Sequence, residues 1–78
     1  MARLGVYSGT QVVQAFKRAG WVVVRQRGSH IAMEKSGYET TLSIPVHKGK
    51  DVKRGTLHAL IKDAGMTVEE FLSYCRKQ

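Results

Sequence analysis

The sequence is poor in cysteine, in acidic side chains and in long apolar runs, and each shortage narrows the class of protein. The single cysteine, Cys75, cannot form a disulfide bond within the chain. No apolar run approaches the roughly 20 residues that a transmembrane helix needs, and residues 1–9 lack the apolar segment of a signal peptide. We therefore expect a cytoplasmic protein without a disulfide or a membrane span.

The shortage of acidic residues leaves a strongly basic chain. Six Asp and Glu residues face 13 Lys and Arg residues, which gives a formal net charge of +7. Such an excess favours binding to nucleic acid, to an anionic membrane surface or to an acidic protein. Because the cations are spread over several segments, we expect a folded basic surface on one domain, residues 1–78, and not a disordered tail.

Residue patterns predict the element order α-β-β-β-α-α. Ser8 and Gln11 have the spacing of a capping box, which starts a helix. Runs rich in β-branched residues, or alternating polar with apolar residues, indicate strands, and apolar residues at i, i+3, i+4 and i+7 indicate helices. The predicted elements are a helix over about 9–19, strands over 21–26, 30–35 and 39–44, a helix over 54–64, and a short last helix after Thr67.

Three consecutive strands with short connections predict an antiparallel meander in an α+β domain, with the helices on one face of the sheet and the other face open to solvent. A tight turn centred on Arg27-Gly28 would pair the first two strands. Because cross-strand partners share a face, the arginine and histidine of this hairpin would lie together on the open face. The predicted pairs are Arg25–His30, Val24–Ile31 and Val22–Met33, the two aliphatic pairs facing the helices.

His30 is the first candidate for chemistry because it directly follows this turn. Histidine exchanges protons near neutral pH. RNA carries its own nucleophile, the 2′-hydroxyl, so a histidine that moves protons could cleave RNA with no metal and no cofactor, while nearby cations stabilise the transition state. On the pattern alone, a polar residue that simply starts a strand is the commoner case.

A basic loop and the start of the next predicted helix form the second candidate site. The N–H groups at a helix N-terminus together with nearby cations can bind a phosphate. A solvated basic face is the alternative, and His47 either touches phosphate or is an exposed loop residue. The cations in question are Lys48, Lys50, Lys53 and Arg54.

Other polar and aromatic residues are expected to have structural roles. Three histidines with no paired cysteines lack the spacing of a zinc site, and His58 is expected to face solvent. Trp21 is expected in the core, although an exposed tryptophan could stack on a base. Cys75 lies on an apolar helical stripe and is expected to be buried and unreactive.

Six short stretches occur in a fixed order along the chain. As a series they are a more specific signature of a protein family than any one of them alone. They are Ser8-Gly9, Ala19-Gly20-Trp21, Arg25-Gln26-Arg27-Gly28-Ser29-His30, Ile44-Pro45-Val46-His47, Arg54-Gly55-Thr56-Leu57 and Ala64-Gly65. This series resembles the HicA family of bacterial mRNA interferase toxins over nearly the whole chain. Trp21 stands where Phe is commoner in that family, which is a conservative difference.

The resemblance implies a fold like the double-stranded-RNA-binding domain, α-β-β-β-α, with the last short helix as an addition. It implies cleavage of mRNA without a metal ion or cofactor, and a HicB-type antitoxin that covers the active site. The catalytic histidine of the family falls on His30, and its glycine and serine fall on Gly28 and Ser29. A non-catalytic RNA-binding module of the same fold, or a regulator that binds only proteins, are the alternatives.

Overall fold

A computed structural model describes residues 3–76 as a three-stranded antiparallel sheet with helices packed on one face. The strands lie in the sheet in their order along the chain, and the predicted element order and α+β fold, similar to the double-stranded-RNA-binding domain, are confirmed. None of the helices within this part of the chain has the length and apolar character needed to cross a bilayer. The elements are α1 Gly9–Arg18, β1 Val22–Arg27, β2 His30–Glu34, β3 Leu42–Pro45, α2 Arg54–Asp63 and α3 Val68–Arg76.

The first helix begins and ends as its sequence predicts. The Ser8 hydroxyl accepts a hydrogen bond from the backbone N–H of Gln11, and the Gln11 side chain accepts one from the backbone N–H of Ser8. This capping box satisfies two N–H groups that the helix itself leaves free. Gly20 then adopts φ 103°, a value that glycine reaches without strain, and directs the chain into β1.

The core lies between the sheet and the helices. Phe16 of α1 contacts Phe71 of α3 and Trp21, with ring centroids 5.4 and 6.4 Å apart. Trp21 is 2% exposed, which confirms its predicted place in the core. Its indole N–H has no hydrogen-bond acceptor among the described residues. The strands contribute Met33, Leu42 and Ile44, and α2 contributes Leu57, Leu60 and Ile61.

The predicted register of the first hairpin is wrong. Its turn is Gly28-Ser29, so Arg27 pairs with His30, and Arg25 pairs with Ala32. Gly28 adopts φ 58°, which suits the first position of a two-residue hairpin turn. The pairing also shifts between Val23 and Arg25, where a bulge adds one residue to β1. The prediction centred the turn one residue too early and had no means of locating the bulge.

The valines of β1 are consequently less covered than predicted. Val22 and Val24 are 60% and 47% exposed, and their predicted partners Ile31 and Met33 pair with Gln26 and Val23 instead. The physical reason is that two helices cover β3 at one edge of the sheet, whereas only α1 contacts β1 at the other edge to a comparable extent. Arg25 nevertheless stays on the same face as His30, because Arg25–Ala32 and Arg27–His30 are alternate pairs of one ladder.

Candidate active site

A cleft of about 510 Å³ lies where the ends of β2 and β3 meet the following loop and the start of α2. It opens on the sheet face that the helices leave uncovered. The lining includes two histidines, two lysines and one carboxylate. The lining residues are His30, Ser43, Pro45, His47, Lys50, Asp51, Val52, Lys53 and Thr56.

His30 occupies a firmly held position at one wall of this cleft. It is the first residue of β2, the central strand, and is paired with Arg27 on one side and Pro45 on the other. The two neighbouring strands therefore fix its backbone, while its side chain remains exposed. This combination suits a group that must meet a substrate at a fixed place.

His47 faces His30 across the cleft, with ring centroids 6.4 Å apart and ring planes at 81°. In the sequence the two histidines belong to separate segments, and they were not predicted to be neighbours. The β2–β3 register explains their proximity, because Pro45 pairs with His30 and His47 follows Pro45 by two residues. Alternate residues of an extended chain point to the same side, so a correct register for β3 would have revealed the pair.

Backbone contacts hold the loop that carries His47. The N–H of Val46 donates to the carbonyl of Ser29 at 2.6 Å, and the N–H of Val52 donates to the carbonyl of Tyr7 at 2.8 Å. Gly9 packs so closely on this loop that a Cβ there would meet the carbonyl oxygen of Pro45 and would lie 2.7 Å from the Cα of Val46. The loop is thus fastened to the start of α1 as well as to the hairpin turn.

The predicted cations of the basic loop do not all reach the cleft. Lys50 and Lys53 line it, whereas Lys48 is exposed in the same loop outside the lining. Arg54 borders a separate depression with His58. Lys53 caps α2 without a side-chain hydrogen bond, and the first turn of α2 has no acidic residue. The N-terminus of α2 therefore presents positive potential beside the lysines of the cleft.

The arginines of β1 extend the basic surface along the open sheet face. A shallow depression next to the cleft is lined by Arg25 and Arg27 together with His30 and Ser43. His30 and Ser43 line both depressions, so the two form one continuous surface. Gly28 and Ser29 form the turn beside it, where glycine leaves open space that a side chain would occupy.

Two further observations, outside this basic surface, concern the free cysteine and possible metal ligands. Cys75 is half-buried on α3, and burial raises the pKa of its thiol, an effect that the nearby Arg18 partly offsets. A raised pKa disfavours the reactive thiolate, in agreement with the expected unreactive role. Within residues 3–76, no three His, Cys, Asp or Glu side chains lie close enough together to share a metal ion.

A comparison with known families decides the identity of the chain. Residues 9–66 match the family described as the HicA toxin of bacterial toxin–antitoxin systems. This chain belongs to the HicA toxin family. The match includes the whole sheet, both histidines of the cleft and α2, whereas α3 lies beyond it. No curated protein matches the chain in sequence.

Membership in the HicA family makes the protein a toxin of a bacterial toxin–antitoxin system, and it implies an antitoxin partner. The position of α3 outside the match agrees with its interpretation as an addition to the family's α-β-β-β-α order. This addition is packed into the core nonetheless, because Phe71 of α3 is fully buried against Phe16.

Proposed function

We propose that this HicA-family toxin is an endoribonuclease that cleaves mRNA through proton transfer at His30, without a metal ion or cofactor. The observation that supports it most directly is the placement of an exposed histidine, on a backbone held from both sides, in a cleft shared with Lys50 and Lys53. The family match supports the substrate, since HicA toxins cleave mRNA. An mRNA substrate in turn implies action in the cytoplasm.

The chemistry requires only groups that the chain and the RNA provide. The 2′-hydroxyl attacks the adjacent phosphorus while His30 either takes its proton or protonates the departing 5′ oxygen. General acid–base catalysis of this kind contributes about 10²–10⁴-fold to the rate. Lys50 and Lys53, which line the cleft, would stabilise the extra negative charge of the transition state.

Binding of the RNA backbone would involve the whole basic surface. Arg25 and Arg27 extend it along the open sheet face, and the turn Gly28-Ser29 leaves space for a phosphate to approach the main chain. Lys48 and Arg54 flank the cleft and would add charge attraction at longer range. The ring centroids of His47 and His30 are 6.4 Å apart, so a phosphate bound between the two rings can contact both.

A HicB-type antitoxin is the proposed partner, and it would inhibit by covering His30. The exposed cations around the cleft favour rapid capture of an acidic protein surface, because complementary charge accelerates association. Titration of the toxin with its antitoxin should abolish cleavage at a stoichiometric ratio and should protect His30 from modification by diethyl pyrocarbonate. Cleavage that persists with excess antitoxin, or a His30 that stays reactive in the complex, would count against this partner role.

The test of the enzymatic function compares purified protein with a His30→Ala variant on a defined RNA in the presence of EDTA. His30→Ala should lose about 10²–10⁴-fold in cleavage rate while it binds RNA with unchanged affinity. His58→Ala is the matched control, because His58 is also exposed but lies outside the cleft.

Each alternative has its own outcome in this experiment. Full cleavage by His30→Ala would remove the catalytic role of that residue. RNA binding without cleavage by the wild type would favour a non-catalytic RNA-binding module, for which the same fold and basic face suffice. Absence of both would favour a regulator that binds only proteins.

A further inference from the structure

The second histidine of the cleft, His47, has its ring centroid 6.4 Å from that of His30. In an in-line reaction the attacking and the departing oxygen lie on opposite sides of the phosphorus, so a single imidazole cannot serve both at once. We propose that His47 is a second catalytic residue, and that His30 and His47 act as a base and acid pair. The inference rests on the proposed ribonuclease function and extends it to a residue outside the hairpin.

The spacing of the two rings suits a phosphate placed between them. Their centroids are 6.4 Å apart, and a catalytic hydrogen bond spans about 3 Å. One phosphoryl group between the rings can therefore contact a nitrogen of each. The ring planes are at 81°, so the two imidazoles are not stacked face to face on each other.

The main chain holds the two residues that carry these rings close together. The hydrogen bond from the N–H of Val46 to the carbonyl of Ser29 joins the residues immediately before His47 and His30. The carbonyl of His47 also accepts a hydrogen bond from the N–H of Lys50 at 3.0 Å. Preorganised groups of this kind accelerate a reaction because they need not be ordered when it occurs.

The charged groups around the pair agree with a reaction at phosphate. Lys50 and Lys53 line the same cleft, Asp51 is the one carboxylate of the lining, and Arg27 pairs with His30 across the turn. The lysines can contact the non-bridging oxygens of the phosphate while the histidines contact the attacking 2′ oxygen and the departing 5′ oxygen. His58, the remaining histidine, lies outside the cleft, so the pairing is particular to His30 and His47.

The proposed step balances in atoms and charge. The neutral imidazole of the pair accepts the 2′-hydroxyl proton while the 2′ oxygen forms a bond to phosphorus. The bond from phosphorus to the 5′ oxygen breaks, and the protonated imidazole gives its proton to that oxygen. The products are a 2′,3′-cyclic phosphate and a free 5′-hydroxyl, and the two imidazoles return to their starting states by proton exchange with water.

The test measures single-turnover cleavage by His30→Ala, His47→Ala, His47→Lys and His58→Ala on two versions of one RNA. The first is unmodified, and the second has sulfur in place of the 5′ bridging oxygen at the cleaved bond. A thiolate leaves without a proton, so this second RNA needs no acid. His47→Ala should slow cleavage of the unmodified RNA by about 10²-fold or more, with little change in RNA affinity, and His58→Ala should match the wild type.

Two results would identify proton transfer at His47 specifically. His47→Lys, which keeps a cation, should remain as slow as His47→Ala. The sulfur-containing RNA should restore fast cleavage to one of the variants His30→Ala and His47→Ala and not to the other, because only one of the two residues acts as the acid. The rescued variant then identifies the acid.

Other results would overturn the pairing. Near-normal cleavage by His47→Ala together with loss of cleavage in His30→Ala would remove His47 from catalysis and leave the proposed ribonuclease function intact. Recovery in His47→Lys would make His47 a phosphate-binding cation. Sulfur rescue of both variants, or of neither, would contradict the division into acid and base. Full activity of His30→Ala would instead refute the proposed function itself, and the pairing with it.

Discussion

The two faces of the sheet are formed by alternating residues of the same strands and differ in almost every property. On the face covered by helices, Met33, Leu42 and Ile44 are at most 1% exposed. On the other face, His30 and Ser43 are exposed and line a basic cleft. The covered face provides burial of apolar surface, and the open face holds every sheet residue of the proposed site.

This difference shows that residues that stabilise the fold and residues of the proposed site can be direct neighbours in the chain. Successive side chains of a strand point to opposite faces, so Ser43 and Ile44 are neighbours in the chain but contribute to different tasks. Substitutions on the open face should therefore change activity with little effect on folding, and those on the covered face should do the reverse. A chain of 78 residues buries a small core, so each covered residue matters.

The largest expected difference in stability between the two faces comes from Ile44→Ala. Ile44 is fully buried, and truncation of a buried isoleucine lowers the free energy of unfolding by about 2–5 kcal/mol. Ser43→Ala, the matched control on the open face, should change it by at most about 0.5 kcal/mol. Urea unfolding followed by circular dichroism measures both. Equal losses from the two variants would contradict the separation of the faces.

Gly9→Ala should have the next largest effect on stability, and it tests whether the packing of α1 on the loop positions His47. The added methyl group would meet the backbone of Pro45 and Val46, and overpacking of this kind costs about 1–3 kcal/mol. Since Val46 precedes His47, RNA cleavage should fall as well. Gly55→Ala is the control, because a Cβ there meets nothing within 4 Å. Cleavage at the wild-type rate in Gly9→Ala would show that this contact does not position His47.

Local rules predicted much of the fold because the determining residues are close in sequence. The capping box at Ser8 and Gln11, the glycine that ends α1 and the apolar stripe of α2 each act within a few residues. The bulge after Val23 depends on how β1 meets β2 along its whole length. No residue near the bulge signals it, and the valines of an edge strand look the same in sequence as those of a central strand.

The candidate site likewise has one part that local sequence predicts and another part that depends on distant residues. His30 could be proposed from the turn before it and from the family resemblance, because both depend only on the order of residues along the chain. The partnership of His30 with His47 could not, because it depends on the β2–β3 register and on a hydrogen bond between residues 29 and 46. The basic loop and the start of α2 contribute Lys50 and Lys53 to the cleft, but which cations of this segment line the cleft depends on the loop conformation.

A smaller effect, on RNA binding and not on stability, is expected from the two lysines that line the cleft. Neutralising Lys50 and Lys53 together should flatten the dependence of log affinity for single-stranded RNA on log salt concentration by about 0.7 for each RNA phosphate that the protein no longer neutralises. Fluorescence anisotropy over a series of salt concentrations measures the slope. Lys62→Ala, at the other end of α2, should leave it unchanged. An unchanged slope in the double variant would place the RNA elsewhere on the protein.

The smallest effect is expected from Trp21→Phe on the covered face. Loss of ring volume at a fully packed site is destabilising, but the indole N–H of Trp21 is buried without an acceptor among the described residues. An unsatisfied buried donor costs about 1–3 kcal/mol, so its removal should offset most of the destabilisation caused by the smaller ring. The net change in the free energy of unfolding should stay within about 1 kcal/mol, and cleavage should be unaffected.

Trp21→Ala, which also removes the ring contacts with Phe16 and Tyr38, should cost about 3–5 kcal/mol. A large loss of stability in Trp21→Phe would mean that the indole N–H is satisfied after all, and that this part of the covered face tolerates no change in ring shape.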